Sequence, residues 1–112
     1  MNEESSGNER FPVYAVGLIR NLSRRTNYET AIVQSLAREG ILLETLHDVE
    51  LTAAVEVRVN GRTVLGEVIH RRRDDKHWLI GVKLNHSLDD SELSRTVERM
   101  LHGDQDMSEA DK

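Results

Sequence analysis

Cysteine is absent from this 112-residue chain, and no run of apolar residues is long enough to cross a membrane. The first absence excludes a disulfide framework and a metal site built on thiolates. The second predicts that the chain has no membrane span. The N-terminal sequence MNEESSGNER has neither a basic region nor an apolar segment, so we expect no secretory signal and a cytoplasmic location.

The charge of the chain is unevenly distributed. The formal net charge is -5 at pH 7, yet residues 10 to 86 carry more Lys and Arg than Asp and Glu. The acidic excess lies in residues 1 to 9 and 87 to 112. Two interpretations stay open, namely solvated acidic ends beside an ordinary surface or an anion site on the basic body. We expect disordered tails at 1–9 and 104–112, with one folded domain at 10–103.

Apolar and polar residues alternate in several short stretches, and this alternation is typical of half-buried strands. Valine occupies every second position from 55 to 59, and the Asn60-Gly61 pair that follows is typical of a tight hairpin turn. The first stretch begins at Phe11 and is partly apolar on both faces. A further turn is predicted over residues 71 to 76. In total, six strands are predicted.

The period changes to that of a helix after Asn85. Four apolar residues follow the spacing of one helical face: Leu93, Val97, Met100 and Leu101. Ser87 is the predicted N-cap and Gly103 the predicted C-terminal cap. We expect the apolar face to cover an open end or side of the sheet. The predicted fold is therefore mainly β, a six-stranded antiparallel barrel with a C-terminal α-helix.

No arrangement of residues typical of catalysis is visible in the sequence. There is no nucleophile elbow, P-loop or dinucleotide fingerprint. The five histidines lie in different segments at no spacing typical of metal ligands, and the carboxylates are scattered or lie on the predicted helix. We therefore expect no enzyme, no catalytic residues, no metal site and no cofactor. For Trp78, a place on one apolar side of a barrel is favoured over a stacking platform.

Five stretches of the chain are similar, in order, to one known family: ERFPV at 9–13, VQSLAREGILLET at 33–45, LTAAVEVRV at 51–59, GEVIHRRR at 66–73 and HWLIGVKL at 77–84. They resemble the PilZ domain, a bacterial six-stranded barrel whose typical ligand is the second messenger cyclic di-GMP. The resemblance implies a signalling module that takes part in control of motility or surface behaviour.

The PilZ family binds its ligand with two motifs, R-x-x-x-R before the first strand and [DN]-x-S-x-x-G after the second. Arginine forks match phosphate oxygens and guanine edges, and the glycine lets the backbone bend close to the base. By resemblance, Arg10 matches the second arginine and Gly40 the glycine. Ser6 stands at the place of the first arginine, Ser35 at that of the acid or amide, and Ala37 at that of the serine.

Two functional interpretations follow from these departures. The first is a module that acts through protein contacts and binds cyclic di-GMP weakly or not at all. The alternative is a genuine cyclic di-GMP receptor with a non-standard site, formed by Arg10, Ser35, Arg38 and Gly40. The pair Arg20 and Arg24 also satisfies R-x-x-x-R, but too few residues separate it from Ser35 to leave room for a strand, so we do not assign it.

The run Arg71, Arg72 and Arg73 also has two interpretations. It is either a solvated hairpin or a contact for an anion or a partner. A third functional class, nucleic-acid binding by a small barrel, is disfavoured by the overall acidity and the single Trp78. We therefore expect a protein partner, with cyclic di-GMP as the possible ligand and no nucleic acid.

Overall fold

The computed structural model of the chain describes residues 9 to 102. The predicted tails lie almost entirely outside these residues, as does the predicted C-terminal cap at Gly103. Six strands and one helix are present within them: β1 (Phe11–Asn21), β2 (Glu29–Leu36), β3 (Gly40–Thr45), β4 (Ala54–Val59), β5 (Arg62–Asp74), β6 (His77–Leu84) and α1 (Asp90–His102).

The strands form a closed antiparallel barrel in the order β1-β2-β3-β6-β5-β4. The barrel closes because β1 pairs with β2 along one side and with β4 along the other. Closure gives every strand of the barrel two hydrogen-bonded neighbours, so none is an edge strand along its whole length. A fully unpaired edge would invite association with other chains. The predicted fold, a six-stranded antiparallel barrel followed by a helix, is confirmed.

The barrel interior is filled by the alternating apolar side chains. Val55, Val57 and Val59 on β4 are at most 1% exposed, as their period-two spacing predicts. On β1, Gly17 takes an inward-facing place where β1 and β4 approach closely. A Cβ atom there would lie 2.4 Å from the Arg58 carbonyl oxygen, so no larger residue fits without a backbone shift.

Two hairpins flank β5, and the sequence predicts the first of them better than the second. Asn60 (φ 50°) and Gly61 (φ 82°) both adopt left-handed backbone, as a type I′ turn requires. The prediction of a turn over residues 71 to 76 is wrong. The residues 71 to 74 extend β5 by pairing with β6, and only Asp75 and Lys76 form the turn. Asp75 has φ 59°, which permits this shorter connection.

The helix α1 lies across the barrel end that holds the β2–β3 and β4–β5 turns, and it packs mainly on β1. Its N-cap is Asp89, so the prediction of Ser87 is wrong. The Asp89 carboxylate accepts a hydrogen bond from the Glu92 amide (2.8 Å), and Glu92 Oε1 accepts one from the Asp89 amide (3.0 Å). This reciprocal capping box satisfies two backbone amides at the start of the helix. Ser87 lies too far from the helix to reach them.

The buried face of α1 also differs by one position from the prediction. Leu93, Thr96 and Met100 are buried, and Val97 packs partly against the core. Leu101 was predicted on this face but is 49% exposed. Each residue advances the helix by about 100°, so Leu101 is rotated away from the barrel once Met100 points into it.

Candidate functional site

The structure brings together two of the four residues predicted to bind a ligand. Arg10 precedes β1 and Ser35 is near the end of β2, where Pro12 and Ser35 are paired. Arg10 Nε donates a hydrogen bond of 2.8 Å to Ser35 Oγ. Partial burial lowers the pKa of Arg10, because desolvation disfavours its charged form. The arrangement places one guanidinium beside one hydroxyl at the barrel end that α1 covers.

The other two predicted residues serve the packing of the β2–β3 turn. Arg38 forms an ion pair with Asp90 of α1, and its carbonyl accepts a hydrogen bond of 2.8 Å from the Leu88 amide. The Gly40 carbonyl accepts one of 2.8 Å from the Ala37 amide. Ala37, at the place of the family's serine, is 5% exposed. The turn therefore presents neither a serine hydroxyl nor an unpaired arginine on its surface.

The run of three arginines lies at the opposite end of the barrel. Arg71 and Arg73 approach the Trp78 ring, with guanidinium carbons 5.8 Å and 5.6 Å from its centroid. Arg71 also forms an ion pair with Asp48, while Arg72 is exposed on the other face of β5. Trp78 packs partly against the core, as predicted. The run is thus separated from Arg10 and Ser35 by the length of the barrel.

A cluster of polar and aromatic side chains that the sequence did not reveal lies outside β1 and β4. Glu56 Oε1 accepts a hydrogen bond from Arg20 (2.9 Å) and its Oε2 accepts one from Arg58 (3.1 Å). The two guanidinium carbons lie 4.6 Å and 5.0 Å from the centre of the Tyr28 ring. Arg20 belongs to β1, Glu56 and Arg58 belong to β4, and Tyr28 directly precedes β2. Their spacing in sequence gives no sign of their contact.

The pKa of Glu56 is lowered by this cluster. Burial alone would raise it, since the side chain is 9% exposed, but the polar contacts with Tyr28, Arg58 and Arg20 have the larger combined effect. Glu56 is therefore charged in the folded protein and neutralises one of the two guanidinium groups.

The outer surface of β1 and β2 carries a row of exposed apolar side chains. We call this row the β1–β2 face, and it consists of Tyr14, Val16, Leu18 and Ile32. One sign of this face is visible in the sequence, because β1 is partly apolar on both sides, whereas the interior of a barrel takes the side chains of only one side.

Two further observations bear on the predicted chemistry. Among residues 9 to 102, no group of three or more His, Asp or Glu side chains is arranged to hold a metal ion. Within the same residues, no helix has both the length and the apolar character needed to span a membrane. Neither observation adds residues to the candidate site.

Of the comparisons with known proteins, the one with solved structures finds a similarity. No family model matches the chain, and no curated protein sequence matches it. Among solved structures, the chain is similar to one described as the crystal structure of the PilZ domain of CeSA from a cellulose-synthesizing bacterium. The TM-score is 0.51 at 15% identity, and the alignment covers 83% of this chain and 94% of that one. Although the sequence identity between the two proteins is low, their structural similarity shows that this chain has a PilZ-like fold.

Proposed function

We propose that the chain is a bacterial regulatory module of cyclic di-GMP-linked signalling that acts through protein contacts and binds cyclic di-GMP weakly or not at all. It is not an enzyme in this proposal, and it acts in the cytoplasm. The observation that carries the proposal is the state of the β2–β3 turn. There Arg38 is paired with Asp90, and Ala37 is buried where the PilZ motif has a serine.

The expected loss of ligand affinity is large. A hydrogen bond to a charged group contributes about 1.5 to 3 kcal/mol. By resemblance, Ser6 replaces an arginine, Ser35 an acid or amide, and Ala37 a serine. Losing two or three such contacts weakens a micromolar site by roughly a hundredfold or more. Contacts with a protein are then the remaining route by which the barrel can signal.

A second candidate function is supported by one specific contact. Arg10, the matched arginine, donates a hydrogen bond to Ser35 near the end of β2, just before the β2–β3 turn, and this contact supports a receptor. In this alternative the module is a cyclic di-GMP receptor, and Arg38 exchanges Asp90 for a ligand phosphate. Arginine suits this exchange because its fork binds carboxylate and phosphate with similar geometry.

Isothermal titration with cyclic di-GMP separates the two functions, with GMP as the ligand control and Arg10→Ala as the variant control. We expect no saturable heat at high micromolar cyclic di-GMP. Stoichiometric binding at low micromolar concentration that Arg10→Ala abolishes would establish the receptor instead. Binding that Arg10→Ala leaves intact would reject both the proposed function and the proposed ligand site.

A further inference from the structure

The β1–β2 face combines exposed apolar side chains with arginines at both ends. We propose that it docks a protein segment whose centre is apolar or aromatic and whose two ends carry Asp or Glu. This inference rests on the proposed function and names the surface and the chemistry of its partner.

The apolar side chains of the face lie next to one another. Val16 and Ile32 are directly paired across β1 and β2, so their side chains project from the same side of the sheet within contact distance. Leu18 follows Val16 by two residues on the same side. The exposed fractions are 71% for Tyr14, 67% for Val16, 40% for Leu18 and 37% for Ile32. Contiguous exposure of this kind, unlike single exposed residues, marks interaction surfaces.

Tyr14 is held outward by an irregular backbone. The pairing of β1 with β2 shifts register between Pro12 and Ala15, and Tyr14 lies within this bulge with φ 50°. Left-handed backbone is costly for a residue as bulky as tyrosine. Bulges of this type redirect a side chain, and tyrosine is among the commonest anchors of protein interfaces. The bulge therefore presents Tyr14 as a preorganised anchor.

Positive charge borders the face at both ends. Arg10 precedes β1 at one end, and the pair Arg20 and Arg58 lies at the other, where Glu56 offsets one of the two charges. Acidic groups on a bound segment would complement both ends, and such rim charges determine association rate and specificity.

The carboxylates along the β2 and β3 side of the face are already engaged. Glu29 Oε1 lies 3.2 Å from His47 Nδ1, and Glu44 Oε2 lies 3.0 Å from His77 Nδ1. These carboxylates lie along the side of the face, whereas the arginines lie at its two ends, with Glu9 next to Arg10 in the chain.

A second copy of the chain fits this surface poorly. In a two-fold dimer the same face meets itself. Because arginines lie at both ends of the face, they oppose one another whether the two β1 strands run parallel or antiparallel. Like charges across an interface cost several kcal/mol and suppress the wrong partner. The charge pattern therefore favours a different, acidic partner over self-association.

Selection from a random peptide library displayed on phage tests the proposal on the full chain. We expect the enriched peptides to have apolar or aromatic residues in the middle and Asp or Glu at both ends. Synthetic copies are then measured by fluorescence anisotropy against three variants. Tyr14→Asn and Val16→Thr remove the face, and Ile69→Thr removes a 58% exposed apolar residue of β5 as a matched control. Asn tolerates positive φ, so the first variant keeps the bulge.

The expected result is a loss of affinity of at least about tenfold in Tyr14→Asn and Val16→Thr and no loss in Ile69→Thr. The inference would be overturned if the enriched peptides lacked acidic ends, if Tyr14→Asn and Val16→Thr left the affinity unchanged, or if no peptide were enriched. A dimer in sedimentation velocity that Tyr14→Asn dissociates would overturn it as well, since such a dimer would assign the face to a second copy. If the peptides bind elsewhere on the barrel, the docking surface is wrong but the proposed function is not affected. The proposed function is tested separately by the cyclic di-GMP titration, which is measured without peptide.

Discussion

Arg38 and Asp90 form an ion pair that joins the β2–β3 turn to the first turn of α1. Their side chains are 47% and 82% exposed, so water screens the pair and its contribution to stability is small. Its functional meaning is larger, because the arginine that the alternative site needs is held by the protein's own carboxylate.

Asp90→Asn releases Arg38 and separates the two candidate functions. We expect the free energy of unfolding in urea to fall by about 1 kcal/mol or less, as for an exposed pair near a helix start. We expect no cyclic di-GMP binding in this variant, because the turn still has a buried Ala37 in place of the serine. Saturable heat that appears in Asp90→Asn and disappears again in Asp90→Asn with Arg38→Gln would favour the receptor.

Gly17→Ala tests the close approach of β1 and β4. The added Cβ would meet the Arg58 carbonyl oxygen at 2.4 Å and Val59 Cγ2 at 2.6 Å. We expect the free energy of unfolding to drop by about 1 to 3 kcal/mol, the usual cost of overpacking. Gly81→Ala is the matched control, since the added Cβ would lie 3.3 Å from His70 Cβ, an approach that a shift of a few tenths of an ångström relieves. Equal losses in the two variants would contradict the packing account.

Glu56→Gln tests the cluster outside β1 and β4 through its dependence on pH. The folded pKa of Glu56 lies below its ordinary value of 4.5, so the charged form stabilises the fold. That stabilisation is present above the unfolded pKa and is lost as the pH falls through the folded pKa. We expect the urea midpoint of wild type to fall more steeply below pH 4.5 than that of Glu56→Gln.

The control for that comparison is Glu67→Gln, which removes an exposed carboxylate from β5. We expect this variant to follow wild type. If Glu56→Gln and wild type lose stability in parallel as the solution is acidified, the contacts of Glu56 with Arg20 and Arg58 do not contribute to the fold.

Asn60 has two roles that two substitutions separate. Its Nδ2 donates a hydrogen bond of 2.8 Å to the Met100 carbonyl, and its φ of 50° supports the turn. Asn60→Gly keeps the turn and loses the bond, so we expect faster amide exchange in the last turn of α1. Asn60→Ala loses both, and we expect it to cost a further 1 to 2 kcal/mol or so in unfolding free energy. Equal stability of the two variants would argue against backbone strain at this position.

The sequence predicts best where the determining forces are local. Alternating valines identify β4 because strand period and burial on one face follow from neighbouring residues. Asn60-Gly61 identifies its turn for the same reason. The end of β5 was missed because pairing of residues 71 to 74 with β6 gives polar residues a strand conformation that their own pattern does not indicate. The helix start moved from Ser87 to Asp89 because Glu92 completes a capping box there.

The class of fold could be predicted from the sequence alone, since hydrophobic periodicity and turn residues act over a few positions and need no knowledge of distant partners. The sequence also identified Arg10, Ser35 and Gly40 as candidates through resemblance, and Arg38 by its place inside the turn. Which of these residues meet depends on the folded chain, which pairs Arg10 with Ser35 and Arg38 with Asp90. The outward apolar row likewise requires the pairing of β1 with β2, which sets Val16 beside Ile32. The cluster around Glu56 requires barrel closure, because the pairing of β1 with β4 brings Arg20 beside Glu56.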